Sequence, residues 1–233
     1  MIWSRDLKRE KPPRSYADGV RMLRDLCKKG GIDMIKNVIF DYGQVIIHFE
    51  PKYMTERYVE PGEDAELLQN VIFDRLYWDR LDAGTITNEE TIEKINKRIP
   101  ERLWDVASKI YYNWIYNIPE MEGMRELIKF LKENYDLKFY LLSNISNYFA
   151  SHSDEIPILK ELDKCVFSAP IGIVKPSKAI FEHLCSYCNI KPEESIFIDD
   201  NLANIEGASE FGINTYTFDG DAEKLKQYLI KIL

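Results

Sequence analysis

Four short stretches carry residues that could share one chemistry. Asp41 follows the apolar run Val38-Ile39-Phe40, Ser143-Asn144 follows Phe139-Tyr140-Leu141-Leu142, and Asp199-Asp200 follows Ser195-Ile196-Phe197-Ile198. Lys175 comes shortly after a fourth run, Cys165-Val166-Phe167. Runs of this kind suit buried strands of a parallel sheet. Ligands of open α/β sheets bind beyond the carboxyl ends of the strands. One sheet edge then carries a carboxylate nucleophile, further carboxylates able to hold a metal, a hydroxyl and a fixed cation. Phosphoryl transfer through an aspartyl phosphate needs that set. Asp41 attacks in line, Mg²⁺ offsets repulsion between two anions, and Ser143 and Lys175 bind the charge spread over the phosphoryl group. Gly43, two residues past Asp41, is expected to permit a tight turn with close backbone approach.

The elements that must position these residues follow from the same pattern. From Pro119 onward, strand-like runs alternate with helical stretches at Ser177 to Tyr187, Asn201 to Phe211 and Ala222 to Ile232. Alternation of this kind implies right-handed crossovers and a parallel sheet, hence an α/β fold with a Rossmann-like core. Between about residues 50 and 118 the periodicity is helical throughout. Thr87 followed by Glu90 fits a capping box opening one of these helices, and a break falls at Asp82-Ala83-Gly84-Thr85.

Composition bounds the function. The chain has 233 residues, 45% hydrophobic and 30% charged, which is ordinary for a globular protein with room for one core and a smaller appended domain. A net charge of −8 argues against a nucleic-acid partner. No apolar run is long enough to span a bilayer, no signal-peptide core opens the sequence, and four cysteines do not suggest a disulfide framework. These features point to the cytoplasm and to no membrane partner. Cys185 and Cys188 have C-x-x-C spacing, but within a helical stretch they read as two residues of one helix face.

Residues 1–33 differ from the rest, with nine Lys/Arg against five acids, a Pro12-Pro13 break and a possible amphipathic helix from Ser15 to Lys29. They read as an N-terminal extension. A docking arm is one reading; another is that Met34, preceded by Lys29-Gly30-Gly31, is the natural start.

With these motifs in order, the chain resembles the haloacid dehalogenase (HAD) superfamily of hydrolases, subfamily IA with a helical cap of the C1 type. F-D-Y-G-Q-V stands at the first motif, L-L-S-N-I-S at the second, G-I-V-K-P-S at the third and F-I-D-D-N-L-A-N at the fourth. The resemblance implies a core of residues 34–49 and 119–233 and a cap of residues 50–118. It implies Asp41 as nucleophile, with Ser143, Asn144 and Lys175 binding the phosphate. Mg²⁺ would be held by Asp41, the Gly43 carbonyl and Asp199, with Asp200 and Asn204 supporting the metal shell or orienting Lys175. Arg80, near the helix break of the cap, falls where the family contacts substrate. Trp78 and Trp114 either pack within the cap or wall the site.

One departure matters. Many phosphatases of this family carry a second Asp, the general acid, where this chain has Gly43. Loss of such an acid removes a contribution of about 10²–10⁴-fold. The chain either uses a substrate whose leaving group needs less protonation, such as an anomeric or acyl phosphate, or finds its proton elsewhere, with His48 a candidate. The D-x-G subgroup includes phosphatases of sugar 1-phosphates, although Gln44 replaces its usual Asn or Gly. Tyr42 and the Asp199-Asp200 pair disfavour a dehalogenase. The expected activity is Mg²⁺-dependent hydrolysis of a small phosphorylated metabolite, a sugar phosphate ahead of nucleotides. The alternative is a catalytically weak or inactive protein of the same fold, binding a phosphometabolite or a protein partner.

Overall fold

The apolar runs do form one sheet. The structure, a computed structural model, describes residues 34–116 and 118–233. The helix and docking arm expected within residues 1–33 lie outside the described residues. Strands β1 (Asn37–Phe40), β2 (Lys138–Ser143), β3 (Lys164–Phe167), β4 (Ser195–Asp199) and β5 (Asn214–Thr217) are all parallel, in the order β3-β2-β1-β4-β5. The order reverses direction between β1 and β4, which is where a parallel sheet opens a crevice for ligand. Phe40 is in register with Leu141 on one side and Ile198 on the other. Asp41 and Asp199, one residue further on, therefore stand side by side, and the Asp41 amide donates to the Ile198 carbonyl at 2.9 Å.

Alternation along each strand sends side chains to two apolar layers. Val38, Phe40, Phe139 and Leu141 pack with helices Met124–Asn134 and Ala222–Ile232, whereas Ile39, Tyr140, Leu142 and Phe197 pack with Lys178–Cys188 and Leu202–Phe211. Phe40, Phe139 and Phe197 have at most 1% of their surface exposed. Each contributes about 1.5–3 kcal/mol by burial. The result is a three-layer α/β Rossmann-like core.

Residues 51–116 carry no strand and are mainly helical: α1 (Pro51–Glu56), α2 (Glu63–Ile72), α3 (Arg75–Asp82), α4 (Asn88–Asn96) and α5 (Trp104–Asn113). Helices α2 to α5 share an apolar cluster that includes Leu68, Ile72, Leu81, Ile95 and Ile110, whereas Met54 of α1 packs with the core. The capping box at the start of α4 is present, with Thr87 Oγ1 accepting from the Glu90 amide and Glu90 accepting from the Thr87 amide. Cys185 and Cys188 are free thiols on one helix, as their spacing suggested. Among the described residues no helix is long and apolar enough to cross a membrane.

Candidate active site

A cavity of about 430 Å³ opens at the carboxyl edge of the sheet, floored by Asp41, Gly43, Ser143, Lys175 and Asp200. Lys175 is the hub. Its Nζ lies 2.7 Å from Asp41 Oδ1 and 2.7 Å from Asp199 Oδ2, and only 4% of the residue is exposed. Burial opposes the ammonium charge, but Asp41 and Asp199 outweigh it and hold the lysine above its ordinary pKa. The loop that brings Lys175 in is clamped by Asn144. The Asn144 Oδ1 accepts from the Lys175 amide at 2.8 Å and its Nδ2 donates to the Lys175 carbonyl at 3.1 Å. Asn144 lines the cavity, yet its amide group is committed to this clamp at both ends.

The two aspartates of the fourth motif have different surroundings. Asp199 is wholly buried, and each of its oxygens accepts twice. Oδ1 takes the Asn201 amide and Asn204 Nδ2, while Oδ2 takes Lys175 Nζ and Asn204 Nδ2. Asp200 is exposed to the cavity, and burial of its carboxyl together with Asp199 raises its pKa. Carboxylate oxygens of Asp41, Asp199 and Asp200 lie within 4.8 Å of one another. Three carboxylates around a single ammonium leave an excess of negative charge at the sheet edge. An all-oxygen donor set with that excess fits a hard divalent cation such as Mg²⁺. Burial pushes the Asp41 carboxyl up against the pull of Lys175, and Asp199 pushes it further.

The roof comes from the helical segment. Trp78 and Trp114 both pack and wall the cavity. Their rings lie 5.2 Å apart, both meet Phe49 edge to face, and all three line the space. Arg80 behaves otherwise than expected: it is exposed, donates to the Thr85 carbonyl at 3.4 Å and is not among the lining residues. The arginine that lines the cavity is Arg75, at the opposite end of α3. His48 is likewise absent from the lining and sits on the surface 3.9 Å from Glu50. Asp82, the last residue of α3, faces the cavity and was missed. Its trace in the sequence was the helix break Asp82-Ala83-Gly84. In the tight turn expected at Gly43 the left-handed residue is the next one, Gln44, with φ 56° and its side-chain amide donating to the Phe49 carbonyl. Around Gly43 a Cβ would meet nothing within 4 Å. Glycine there keeps space open and is not demanded by the turn.

Residues 35–212 match the family model of haloacid dehalogenase-like hydrolases. The chain belongs to this family. Its relatives include a D-ribitol-5-phosphate phosphatase of Bacteroides thetaiotaomicron, 24% identical over 198 residues, spanning 82% of this chain and 95% of the relative. Among solved structures, an HAD-like hydrolase of Porphyromonas gingivalis superposes with a TM-score of 0.63 at 24% identity, covering 84% of this chain and 98% of that one. An HAD family enzyme of B. thetaiotaomicron, in complex with magnesium and inorganic phosphate, superposes with a TM-score of 0.61 at 25% identity, covering 82% and 98%. By its family, this chain is an HAD-like hydrolase. In it the first-motif Asp41, second-motif Ser143 and third-motif Lys175 meet in one cavity, with the fourth-motif pair directly beneath and beside them.

Proposed function

We propose that this HAD-like hydrolase is a Mg²⁺-dependent phosphatase acting on a small phosphorylated polyol or sugar through an aspartyl phosphate on Asp41. The observation that carries the reading is the Lys175 bridge, 2.7 Å from both Asp41 and Asp199 at the floor of a shared cavity. A buried ammonium beside a carboxylate nucleophile pulls it towards the anion against burial, aims it, and can bind a phosphoryl oxygen once substrate arrives. Ser143 supplies a hydroxyl donor to a second phosphoryl oxygen. Asn144 acts through Lys175 by fixing its loop. Asp41, the Gly43 carbonyl and Asp200 would hold the metal. Asp199, whose oxygens are saturated by Lys175, Asn201 and Asn204, is assigned to orienting Lys175, which exchanges the roles first expected for the two aspartates. When bound, Mg²⁺ neutralises charge between nucleophile and phosphate.

Residues 51–116 serve as the cap, and their side chains select the substrate. A cavity of about 430 Å³ is at the small end for ligand sites. Its wall of Phe49, Trp78 and Trp114 offers apolar faces to carbon-bound hydrogens, with Arg75 and Gln44 providing polar contacts. That mixture suits a short polyhydroxylated chain. The B. thetaiotaomicron relative acts on D-ribitol 5-phosphate, and the favoured substrate class here is the same: a phosphate on a primary alcohol of a sugar or polyol. An anomeric phosphate is no longer preferred. The complete set Asp41, Ser143, Lys175 and Asp200 in one cavity also weighs against a purely binding role.

The test is phosphate release from polyol, sugar 1- and terminal phosphates and nucleotides, with Mg²⁺ or with EDTA. Release that needs Mg²⁺ and is fastest on terminal polyol or sugar phosphates supports the proposal. Release unaffected by EDTA overturns its metal dependence.

A further inference from the structure

The cavity contains a carboxyl group that none of the four motifs supplies. Asp82 ends α3 in the helical segment and lines the same space as Asp41, Ser143 and Lys175. Its place is fixed from both sides. The fully buried Ser168 donates its hydroxyl to the Asp82 carbonyl at 2.6 Å and accepts from the Ile145 amide at 2.8 Å, tying the end of α3 to the edge of the sheet. Two residues on, Gly84 has φ 67°, and a Cβ there would lie 2.6 Å from the Ala169 carbonyl oxygen. The helix end is thus pressed against the core. Across the cavity Gly43 leaves open the space a second first-motif carboxylate would fill.

We propose that Asp82 is the general acid and base of the reaction, taking the role of the acid missing at Gly43. The proposal rests on the phosphatase reading above. Four charged groups face Asp82. They are Asp79 and Arg75 on its own helix and Asp41 and Lys175 from the core. Burial, then Asp79 and Asp41, push its carboxyl up to about 7 against the pull of Arg75 and Lys175. Its position at the C-terminal end of a helix also disfavours a negative charge. Asp41 is bridged by Lys175 at 2.7 Å, whereas among the described residues no ammonium lies in hydrogen-bond contact with the Asp82 carboxyl, so the two carboxyls of one cavity have different surroundings.

In the first step an Asp41 oxygen forms a bond to phosphorus as the bond to the substrate's alcohol oxygen breaks. The Asp82 proton passes to that oxygen, releasing the alcohol and leaving Asp82 as carboxylate. In the second step Asp82 takes a proton from water as its oxygen attacks phosphorus. Inorganic phosphate leaves, and Asp41 carboxylate and Asp82 acid are restored.

Asp82→Asn and Asp82→Ala separate this role from a structural one when wild type and variants are compared with Mg²⁺ on ribitol 5-phosphate and on 4-nitrophenyl phosphate. An alkoxide needs the proton and a nitrophenolate does not. Loss of the acid is expected to slow the alkyl phosphate about 10²–10⁴-fold and the aryl phosphate far less. The alkyl kcat/KM of the wild type should fall above pH of about 7, and that limb should be missing in Asp82→Asn. Equal losses on both substrates, or no loss on either, overturn the proposal and leave the phosphatase reading standing. A folded wild type that releases phosphate from neither substrate overturns both.

Discussion

The ammonium of Lys175 and the carboxylate of Asp41 meet at 2.7 Å with almost no solvent between them, the lysine side chain being 1% exposed. Asp199 completes the bridge from beneath. Removing one partner of a buried ion pair strands the others without compensation. Lys175→Met is therefore expected to lose about 3–5 kcal/mol of stability, measured by chemical denaturation, together with catalytic activity. Adding Asp199→Asn to Lys175→Met should recover part of the stability and none of the activity. Equal stability of wild type and Lys175→Met would show that the bridge does not hold the site together.

The cation site can be tested without turnover. A ligand that binds only the folded chain raises its melting temperature. Millimolar Mg²⁺ should raise the Tm of the wild type and have little effect on Asp200→Asn. In Asp199→Asn the Tm without metal should fall, because Lys175, Asn201 and Asn204 then share one acceptor oxygen in place of two and Lys175 loses a charged partner. A metal-dependent shift of full size in Asp200→Asn would return the ligand role to Asp199.

Asp82 should make stability depend on pH in a direction opposite to most carboxylates. Its folded pKa of about 7 lies above the ordinary 3.8, so between those values the native state holds a proton that the unfolded chain has lost. Stability then falls as pH rises from about 4 to 7, and below 4 both states are protonated. Asp82→Asn, which cannot ionise, should be more stable than wild type by about 1–2 kcal/mol at pH 8, a figure discounted for partial exposure, and equal to it near pH 4. Urea denaturation at the two pH values measures this.

The two glycines of the site predict contrasting outcomes. Gly43→Ala should change stability by less than about 1 kcal/mol, because the added methyl meets nothing and the backbone is not left-handed. Gly84→Ala places a Cβ 2.6 Å from a backbone oxygen at φ 67° and should cost about 1–3 kcal/mol. Thermal denaturation of the two variants side by side checks the contrast.

The sheet and its edge were legible because a strand buried on both faces is a continuous apolar run, and the polar residue ending each run is visible beside it. Asp41, Ser143, Lys175 and Asp200 meet in one cavity for that reason. The roof was less legible. Arg75 and Arg80 are both exposed helix arginines in sequence, and only the packing of α3 decides which end reaches the cavity. Asp82 looked like a helix break because its partner Ser168 lies 86 residues away. The division of labour between Asp199 and Asp200 depends on which carboxylate the Lys175 loop covers, and spacing along the chain carries no sign of that. The short helices at Asn147–His152 and Ser168–Ile171 lack a full amphipathic period and left no pattern to read.

In the proposed reaction the phosphoryl group passes through Asp41, and the intermediate can be trapped. Enzyme mixed with ³²P-labelled ribitol 5-phosphate and Mg²⁺, quenched in acid during turnover, should carry label that hydroxylamine removes, as expected for an acyl phosphate. The label should map to the peptide containing Asp41 and be missing in Asp41→Asn. Label on another peptide, or turnover by Asp41→Asn at the wild-type rate, would contradict the account.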